Sequence, residues 1–266
     1  MSENIRVVVS GSGKMGRAIA DALDDADGIE PVGVLEKFAE SDRFTLASGL
    51  VLPMTSDSDA ALGELKPDVV IDFTNLAWTP VVAEAAMKHN VRPVIGTSGL
   101  SNAFVSKLSA QCRERHLGGV VAANFAIGAV LMMHMAKLAA RFFDEAEIIE
   151  LHHDQKVDAP SGTAIATAQG MLEARGRTFD RNVPETQTIA GSREAALDGV
   201  TIHSVRLRGL VAHQEVLFGG LGQTLSIRHD TTGRDAFMPG ILLAAREVLH
   251  RQDLVVGLDA LIGLAS

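Results

Sequence analysis

The feature that most constrains the fold is a glycine-rich turn between an apolar run and an amphipathic segment, in VVVSGSGKMGRAIADAL. Gly11, Gly13 and Gly16 have the spacing G-x-G-x-x-G, and the strand and helix that this motif requires are predicted on either side. The first glycine allows a tight bend, the second lets a pyrophosphate approach the backbone, and the third lets the helix contact the strand. The phosphates then lie at the positive N-terminus of the helix. The pattern predicts a dinucleotide-binding unit.

An acidic residue stands at the end of the second predicted strand, where ribose is bound in such units. Glu36 follows Gly16 by twenty residues, and its carboxylate can accept hydrogen bonds from ribose hydroxyls. Lys37 comes next and can attract a 2′-phosphate, so this pair leaves the choice between NAD and NADP open. The alternative interpretation is a glycine-rich loop with a solvated Glu-Lys pair.

The first part of the chain alternates β-branched runs with helical patterns, which is typical of βαβ units and a parallel sheet. The predicted strands are IRVVVS, EPVGVLE, DVVIDFT, VRPVIGT and GGVVAAN. Apolar residues at three- and four-residue steps predict helices over 14–25, 79–89 and 102–114. The turns in IDFT and IGTSG follow two of these strands and can approach a nicotinamide ribose. They can equally be ordinary turns capped by Ser or Thr.

The pattern changes after Asn124. A long apolar helix, AIGAVLMMHMAKLAARFF, precedes AEIIELHH, a helix beginning near Thr163, and the extended runs VTIHSVRLRG, LVAHQEVLFG and QTLSIRHD. Short turns such as FGGLGQ predict a second, mixed or antiparallel sheet with helices on one face. The final stretches, RDAFMPGILLAAREVLH and LVVGLDALIGL, are predicted to be helical and can return to the first domain. We expect an α/β chain with a Rossmann-like parallel-sheet domain over 1–123 and 233–266, and an α+β domain over 124–232.

Charge and composition exclude several classes of partner. The formal net charge of -9 repels nucleic acid and anionic membrane surfaces, so neither is expected to bind. The N-terminal stretch lacks the pattern of a signal peptide, and no segment approaches about eighteen uninterrupted apolar residues, so we expect a cytoplasmic protein. Cys112 is the single cysteine and cannot form an internal disulfide; we expect it to pack on a helix.

The stretch ELHHDQKVDAPSGTA, residues 150–164, combines titratable groups with a predicted helix start. Because neighbouring strand residues point to opposite faces, His152 and His153 are poorly placed to share a metal, and none is expected. At a strand end both rings can still reach one pocket together with Lys156, which gathers an acid or base titrating near neutral pH and one or two cations.

Ser161 is the predicted N-cap of the following helix, and the amides of Gly162 and Thr163 then form an anion site that suits a carboxylate. The whole stretch predicts a pocket for a small anionic substrate beside a proton donor. The alternative interpretation places His152 in the core and His153 and Lys156 on a solvated loop, with PSG only starting a helix.

This stretch resembles the signature E-x-H-H-x-x-K-x-D-A-P-S-G-T-A of the dihydrodipicolinate reductase family of bacterial lysine and diaminopimelate biosynthesis. The segments GSGKMGRAI, VIDFTN, VIGTSGLS, AANFAIGAVLM and SVRLRGLVAHQEVLFGGLGQTLSIRHD resemble that family's in the expected order, so the similarity covers nearly the whole chain. The resemblance implies a Rossmann-like domain completed by the C-terminal tail and a substrate domain whose sheets assemble a homotetramer. It also implies reduction of 4-hydroxy-tetrahydrodipicolinate, a small cyclic dicarboxylate, to tetrahydrodipicolinate by NADH or NADPH.

The resemblance also implies roles for matching positions. His152 would donate or accept a proton, Lys156 would be a second proton donor, and His153 would contact the substrate. Gly162 and Thr163 would hold a substrate carboxylate. The implied cofactor contacts are Gly11, Ser12, Gly13, Lys14, Met15, Gly16, Glu36, Lys37, Phe73, Gly96, Thr97, Ser98, Ala122, Ala123, Asn124 and Phe125. Some members carry Arg where this chain has Lys37, so the preference between the two cofactors stays open.

Two alternative functions share the nucleotide motif. One is another two-domain NAD(P)-dependent dehydrogenase of amino-acid metabolism, acting on an aldehyde or keto acid. The other is a nicotinamide-binding sensor without turnover. A sensor needs no His-Lys acid site, and aldehyde oxidation through a thioester needs a nucleophilic cysteine, whereas Cys112 lies in a helical pattern away from any strand end.

Overall fold

The computed structural model of the chain describes residues 4–184, 186–192 and 195–264. The chain divides into two compact units, one formed by Met1–Ile127 with Arg234–Ser266 and the other by Gly128–Gly233. Residues 124–127 cluster with the first unit, whereas the predicted split falls before them.

Thirteen strands and seven α-helices lie within the described residues. The strands are β1 (Ile5–Ser10), β2 (Ile29–Leu35), β3 (Arg43–Thr45), β4 (Val51–Thr55), β5 (Val69–Asp72), β6 (Arg92–Ile95), β7 (Gly119–Val121), β8 (Glu145–His152), β9 (Ala196–Leu197), β10 (Val200–Arg206), β11 (Ala212–Gly220), β12 (Gln223–Thr231) and β13 (Leu254–Val256). The α-helices are α1 (Lys14–Asp24), α2 (Ser58–Leu65), α3 (Thr79–His89), α4 (Asn102–Arg115), α5 (Ile127–Ala139), α6 (Gly162–Arg175) and α7 (Met238–Glu247). Short 3-10 turns flank α7 at Arg234–Phe237 and Val248–His250.

The first unit contains an eight-stranded sheet in the order β13-β7-β6-β5-β1-β2-β4-β3. Strand β1 lies near the middle, and its apolar run Val7–Val9 is fully buried, as expected for a strand covered on both faces. Pairing is parallel except between β3 and β4. Because β5 and β2 flank β1 on opposite sides, the chain reverses its direction of winding at β1, where such sheets bind ligands.

The second unit is a five-stranded mixed sheet in the order β12-β11-β8-β10-β9. β8 pairs in parallel with β10 and antiparallel with β11. Ala146, Ile148, Val216 and Phe218 point to one face, where they form a buried core with residues of α5 and α6 such as Met171. The α/β fold class with a parallel Rossmann-like sheet and a second mixed sheet is confirmed.

One predicted element is wrong. The stretch LVVGLDALIGL was expected to be helical, but Leu254–Val256 is strand β13, which pairs in parallel with β7. The run LVV carries two β-branched residues, which favour a strand. Its backbone groups also form hydrogen bonds with β7, and together these two effects outweigh the weak helical pattern of the sequence. Gly257, at φ +92°, then ends the strand. No helix in the described part of the chain is long and apolar enough to cross a membrane.

Candidate active site

The residues predicted to contact a dinucleotide lie at one edge of the parallel sheet. They occupy the turns that follow five strands: 11–16 after β1, Glu36 and Lys37 after β2, Phe73 after β5, 96–98 after β6 and 122–125 after β7. Backbone hydrogen bonds tie these turns to neighbouring strands, since Gly11 N donates to Leu35 O at 2.7 Å and Gly96 N to Asp72 O at 2.8 Å. The structure therefore brings together, at the carboxyl ends of the strands, segments that are far apart in sequence.

The glycines of the first turn fit a bound pyrophosphate. Gly11 has φ +102°, which favours glycine, and a Cβ on Gly16 would lie 1.8 Å from the Gly11 carbonyl oxygen. A Cβ on Gly13, in contrast, would meet nothing within 4 Å. Gly13 is the N-cap of α1 and no side chain caps this helix, so the amides of its first turn can bind an anion. Lys14 and Met15 belong to this first turn.

The Glu36 carboxylate holds the glycine-rich turn. Its Oε2 accepts from Ser12 N at 2.8 Å and from Ser12 Oγ at 2.7 Å. Burial opposes its ionisation, but the hydrogen bonds from Ser12 and nearby backbone amides keep the pKa of Glu36 below its ordinary value. Its Oε1 receives a long contact of 3.4 Å from Phe38 N and can still accept from a ribose hydroxyl. Lys37 is exposed beside it.

A buried carboxylate organises the turns after β5 and β6. Asp72, which is 1% exposed, accepts from the hydroxyls of Thr74 at 2.7 Å, Thr79 at 2.5 Å and Thr97 at 3.1 Å. The Thr97 hydroxyl also accepts from Thr74 N at 3.2 Å. The Thr97 side chain is therefore turned inward, and its backbone is the part that a ligand can reach. This function of Asp72 was not predicted from the sequence.

The Phe73 ring lies on the same edge, between two of the predicted contact segments. Its centroid lies 5.0 Å from that of Phe125, with the rings tilted by 57°. A Cβ on Gly96 would come within 2.1 Å of the Phe73 ring, so glycine is required at that position if the ring stays in place. Among the other predicted contacts of these turns, the partly or fully accessible residues are Ser98, Ala123 and Asn124. Ala122 is buried.

His152 is the last residue of β8 in the second unit, and its side chain is 14% exposed. Glu150 precedes it by two residues on the same face of the strand and is fully buried. His152 Nδ1 lies 2.5 Å from Glu150 Oε2. Burial is the main cause that keeps the pKa of His152 below its ordinary value; the Glu150 carboxylate acts against this, and the charges of Lys156 and Arg206 act with it.

Arg206 ends β10, directly beside His152 in the strand register. Its guanidinium donates to both oxygens of Glu150, at 2.9 Å from Nη1 and 2.8 Å from Nη2. Burial opposes ionisation of Glu150, but these bonds, with those from Ser204 and His152, keep its pKa below the ordinary value. Glu150 is therefore a carboxylate at neutral pH.

The loop after β8 carries the remaining predicted substrate contacts. Lys156 Nζ donates to Asp158 Oδ1 at 2.7 Å, and hydrogen bonds from Lys156 and the Gly162 amide lower the pKa of Asp158. Ser161 caps α6, as predicted, because its Oγ accepts from Ala164 N at 3.2 Å. His153 is exposed, as is Gly162. Thr163 lies in the first turn of α6, next to Gly162.

Three charged residues of this site were missed by sequence reasoning: Glu150, Asp158 and Arg206. Glu150 and Asp158 lie within the stretch 150–164, and the two-residue spacing between Glu150 and His152 in a predicted strand is a signal that they share a face. Arg206 lies 56 residues after Glu150, and no local pattern connects the two.

Comparison with known proteins identifies the family. A model described as the N-terminus of dihydrodipicolinate reductase matches residues 5–125, and one described as its C-terminus matches 128–262. The chain belongs to the dihydrodipicolinate reductase family. The predicted family is therefore confirmed.

Individual relatives of the family agree over nearly the full length. The 4-hydroxy-tetrahydrodipicolinate reductase of Dehalococcoides mccartyi is 44% identical, with 98% of this chain and 99% of the relative covered. The reductase of the same name from Geobacillus kaustophilus is 45% identical, with 96% and 98% covered. The dipicolinate-bound dihydrodipicolinate reductase of a Paenisporosarcina species is a solved structure with a TM-score of 0.87 and 40% identity, covering 97% of this chain and 99% of that one.

Proposed function

We propose that this chain is a 4-hydroxy-tetrahydrodipicolinate reductase, which reduces its substrate to tetrahydrodipicolinate with NADH or NADPH in lysine and diaminopimelate biosynthesis. The observation that carries this proposal is that both parts of the chain match the family's models, and that the matched C-terminal part includes the predicted His-Lys site. When bound, the reduced nicotinamide supplies the hydride.

We assign the proton transfer to His152. Hydride addition to an electron-poor conjugated ring leaves negative charge on a neighbouring atom, and an imidazolium beside it can deliver the compensating proton. His152 suits this role because it is a histidine, whose ring can both donate and accept a proton, is mostly buried and has one ring nitrogen fixed by Glu150. The other nitrogen, Nε2, makes no hydrogen bond within the described residues, so a proton on it is available for transfer.

We assign substrate binding to the loop and helix start that follow β8. Lys156 provides an ammonium group, and the backbone amides of Gly162 and Thr163 lie in the first turn of α6, at its positive end. These groups fit the two carboxylates of a cyclic dicarboxylate and can stabilise negative charge that develops during the reaction. His153, exposed at the start of the loop, provides a further contact.

We assign cofactor binding to the carboxyl edge of the parallel sheet. The amides of the α1 N-terminus and the open space at Gly13 suit the pyrophosphate, and Oε1 of Glu36 suits a ribose hydroxyl. Phe73 and the turns at 96–98 and 122–125 lie where the nicotinamide end is expected. Lys37, exposed beside Glu36, gives a 2′-phosphate a counter-charge, which is the reason to test both cofactors.

We also propose that the enzyme is a cytoplasmic homotetramer. The face of the mixed sheet opposite α5 and α6 carries Ile149, Leu151, Val205 and Leu217, which are all partly accessible in the single chain. On the same face these aliphatic side chains alternate with the polar side chains of Glu147, His203 and Glu215, and a mixed surface of this kind suits packing against another copy. Burial raises the pKa of the Cys112 thiol to about 11, so it is a packing residue, as a reducing compartment allows.

The same thiol argues against the alternative aldehyde chemistry. A thioester mechanism needs an accessible thiolate, whereas Cys112 is buried in α4 and its thiol stays protonated at neutral pH. A sensor without turnover gives no reason for the buried carboxylate and guanidinium that hold the His152 ring. The reductase assignment accounts for both observations.

The test is a spectrophotometric assay at 340 nm. The enzyme that condenses pyruvate with aspartate semialdehyde generates the unstable substrate in place, and NADH and NADPH are followed in parallel. We expect oxidation that depends on both the condensing enzyme and this chain. If neither cofactor is oxidised under conditions where the condensing enzyme is active, the proposed function is wrong.

A further inference from the structure

The Glu150 carboxylate is the most completely enclosed charged group of the site. It has no exposed surface, yet it accepts hydrogen bonds from three parts of the chain. These include bonds from His152 Nδ1 at 2.5 Å, Arg206 Nη1 and Nη2 at 2.9 and 2.8 Å, and Ser161 N at 3.2 Å, besides the one from Ser204. Burying a charge is costly unless such partners are present, and a packed apolar side chain often gives equal stability. The arrangement therefore calls for a functional reason.

The geometry decides which imidazole nitrogen carries the proton. A carboxylate only accepts hydrogen bonds, so His152 Nδ1 must be protonated to bond with Glu150 Oε2. In the cation the second proton is on Nε2. When Nε2 gives up its proton, the neutral ring that remains is already the tautomer that Glu150 binds, so no rearrangement follows the transfer.

We infer that Glu150 is a positioning residue that holds His152 with Nδ1 protonated and Nε2 as the proton-donating atom, and that Arg206 keeps Glu150 ionised and in place for this purpose. This inference rests on the proposed function, because proton donation by His152 belongs to it. Neither Glu150 nor Arg206 touches the substrate in this assignment. Both act through the histidine.

Arg206 also connects the histidine to the substrate loop. Its Nη2 donates to the Asp158 carbonyl oxygen at 2.5 Å, while Glu150 Oε1 receives the Ser161 amide just before α6. One ion pair therefore fixes the ring of His152 and both ends of the segment that precedes the proposed carboxylate site. A substitution that breaks the Glu150–Arg206 ion pair is expected to impair proton transfer but to leave strand β8 in place, because β8 keeps its backbone hydrogen bonds to β10 and β11.

The charges that act on the pKa of His152 are those of Glu150 on its own strand, Arg206 on β10 and Lys156 on the loop. The two cations disfavour the imidazolium and the carboxylate favours it. Replacing Glu150 with a neutral residue leaves both cations in place, so the pKa of His152 should fall. Because a general acid works only when protonated, the alkaline limb of the kcat profile should then move to lower pH.

The first experiment uses the unaltered protein. Nuclear magnetic resonance of ¹³C,¹⁵N-histidine-labelled protein reports which ring nitrogen is protonated, and His152→Gln assigns the signal by its loss. We expect the neutral ring of His152 to carry its proton on Nδ1. A neutral ring protonated on Nε2 would overturn the inference, whether or not the protein is a reductase, so the two proposals fail separately.

The second experiment compares Glu150→Gln with Asp59→Asn. Asp59 is a matched control because it also binds a histidine and a cation, His89 at 2.8 Å and Lys88 at 2.6 Å, but on the solvent-facing side of α2 and α3 in the first unit. We expect Glu150→Gln to lower kcat by about 10- to 100-fold, as for groups that orient metal-bound histidines, with little change in KM. The alkaline limb should shift to lower pH, and Asp59→Asn should change neither quantity.

An unchanged kcat and pH profile in folded Glu150→Gln would contradict the inference. Circular dichroism checks folding, and Arg206→Lys is the second variant because it keeps the charge beside Glu150 but loses the two-pronged contact. We expect Arg206→Lys to retain more activity than Glu150→Gln and to keep Nδ1 protonated. Loss of the Nδ1 proton in Arg206→Lys with unaltered kcat would also contradict the proposal.

Discussion

His152 shows how a single side chain can be tuned by opposing effects. Burial and two nearby cations favour the neutral ring, while the Glu150 carboxylate favours the charged one. We predict that His152→Gln lowers kcat by roughly 10²- to 10⁴-fold, the usual share of general acid catalysis. The dissociation constant for NADH, measured by fluorescence titration, should stay the same, because the glycine-rich turn is unaltered. Wild-type kcat in this variant would remove His152 from the mechanism.

Asp158 forms an ion pair with Lys156, whose ammonium group is expected to bind the substrate. Its Oδ1 lies 2.7 Å from Lys156 Nζ, and hydrogen bonds from Lys156 and Gly162 lower its pKa, so the pair is formed at neutral pH. A substrate carboxylate must therefore compete with Asp158 for the positive charge of Lys156. We predict that Asp158→Asn lowers the KM for substrate while leaving the KM for NADH unchanged, as steady-state kinetics at varied substrate would show. A raised substrate KM would mean that Asp158 helps to form the pocket.

The Asp158 prediction has a pH dependence with a definite sign. The folded-state pKa of Asp158 is depressed, so its pairing with Lys156 persists above the ordinary aspartate value and is lost only as pH falls through the lowered one. The difference in KM between the two proteins should therefore be constant through neutral pH. It should shrink only in acid, below the ordinary aspartate range.

For single residues, the sequence predicts which side chains are reactive better than it predicts which residues they hydrogen-bond to. His152 and Lys156 stand out because titratable groups precede a capped helix within fifteen residues. Glu150 and Arg206 do not, because their function depends on β8 and β10 being neighbours in a parallel register, and 56 residues separate them. Thr97 shows that a hydroxyl at a strand end can stabilise the fold, since it is bonded to Asp72, and its predicted cofactor contact then falls to its backbone.

The turn between β1 and α1 depends on two glycines for different reasons. A Cβ on Gly16 would lie 1.8 Å from a backbone oxygen that cannot move aside, whereas one on Gly13 would meet open space. We predict that Gly16→Ala lowers the free energy of unfolding by about 1–3 kcal/mol, the usual cost of overpacking. Gly13→Ala should keep its stability but raise the dissociation constant for NADH, because the methyl group enters the space assigned to the pyrophosphate.

Chemical denaturation and NADH titration of both variants separate these effects. Each glycine serves as the control for the other, since both substitutions add one methyl group within the same turn. Equal stability losses would show that the close contact at Gly16 relaxes. Unchanged NADH affinity in Gly13→Ala would place the pyrophosphate elsewhere.

Elements with strong local signals are predicted well. The helix expected over 79–89 is α3, and the IRVVVS strand is β1, because apolar period and end signals agree there. The prediction failed at Leu254–Val256, a short run whose strand conformation comes from pairing with β7. Local pattern does not reveal such long-range pairing, and the short strands β3 and β4 were missed for the same reason.

At the scale of the whole molecule, the mixed sheet presents two unlike faces. One packs its alternate residues against α5 and α6, and the other carries the aliphatic side chains of Ile149, Leu151, Val205 and Leu217 among polar side chains such as Glu147 and His203. Because successive residues of a strand point to opposite faces, the sequence predicts which residues lie on each face once the strands are known.

We predict that four copies assemble through this second face and that Ile149→Glu disrupts the assembly. Ile149 lies in β8, the middle strand of the sheet, and a carboxylate there would have to be buried without a partner, which disfavours association. Sedimentation velocity should give the mass of four chains for the wild type and a smaller species for the variant. Val81→Glu is the matched control, because Val81 is an exposed aliphatic residue on α3, 45% accessible and outside the sheet. If Ile149→Glu sediments like the wild type, the copies associate through another surface, and a wild-type monomer would exclude the tetramer itself.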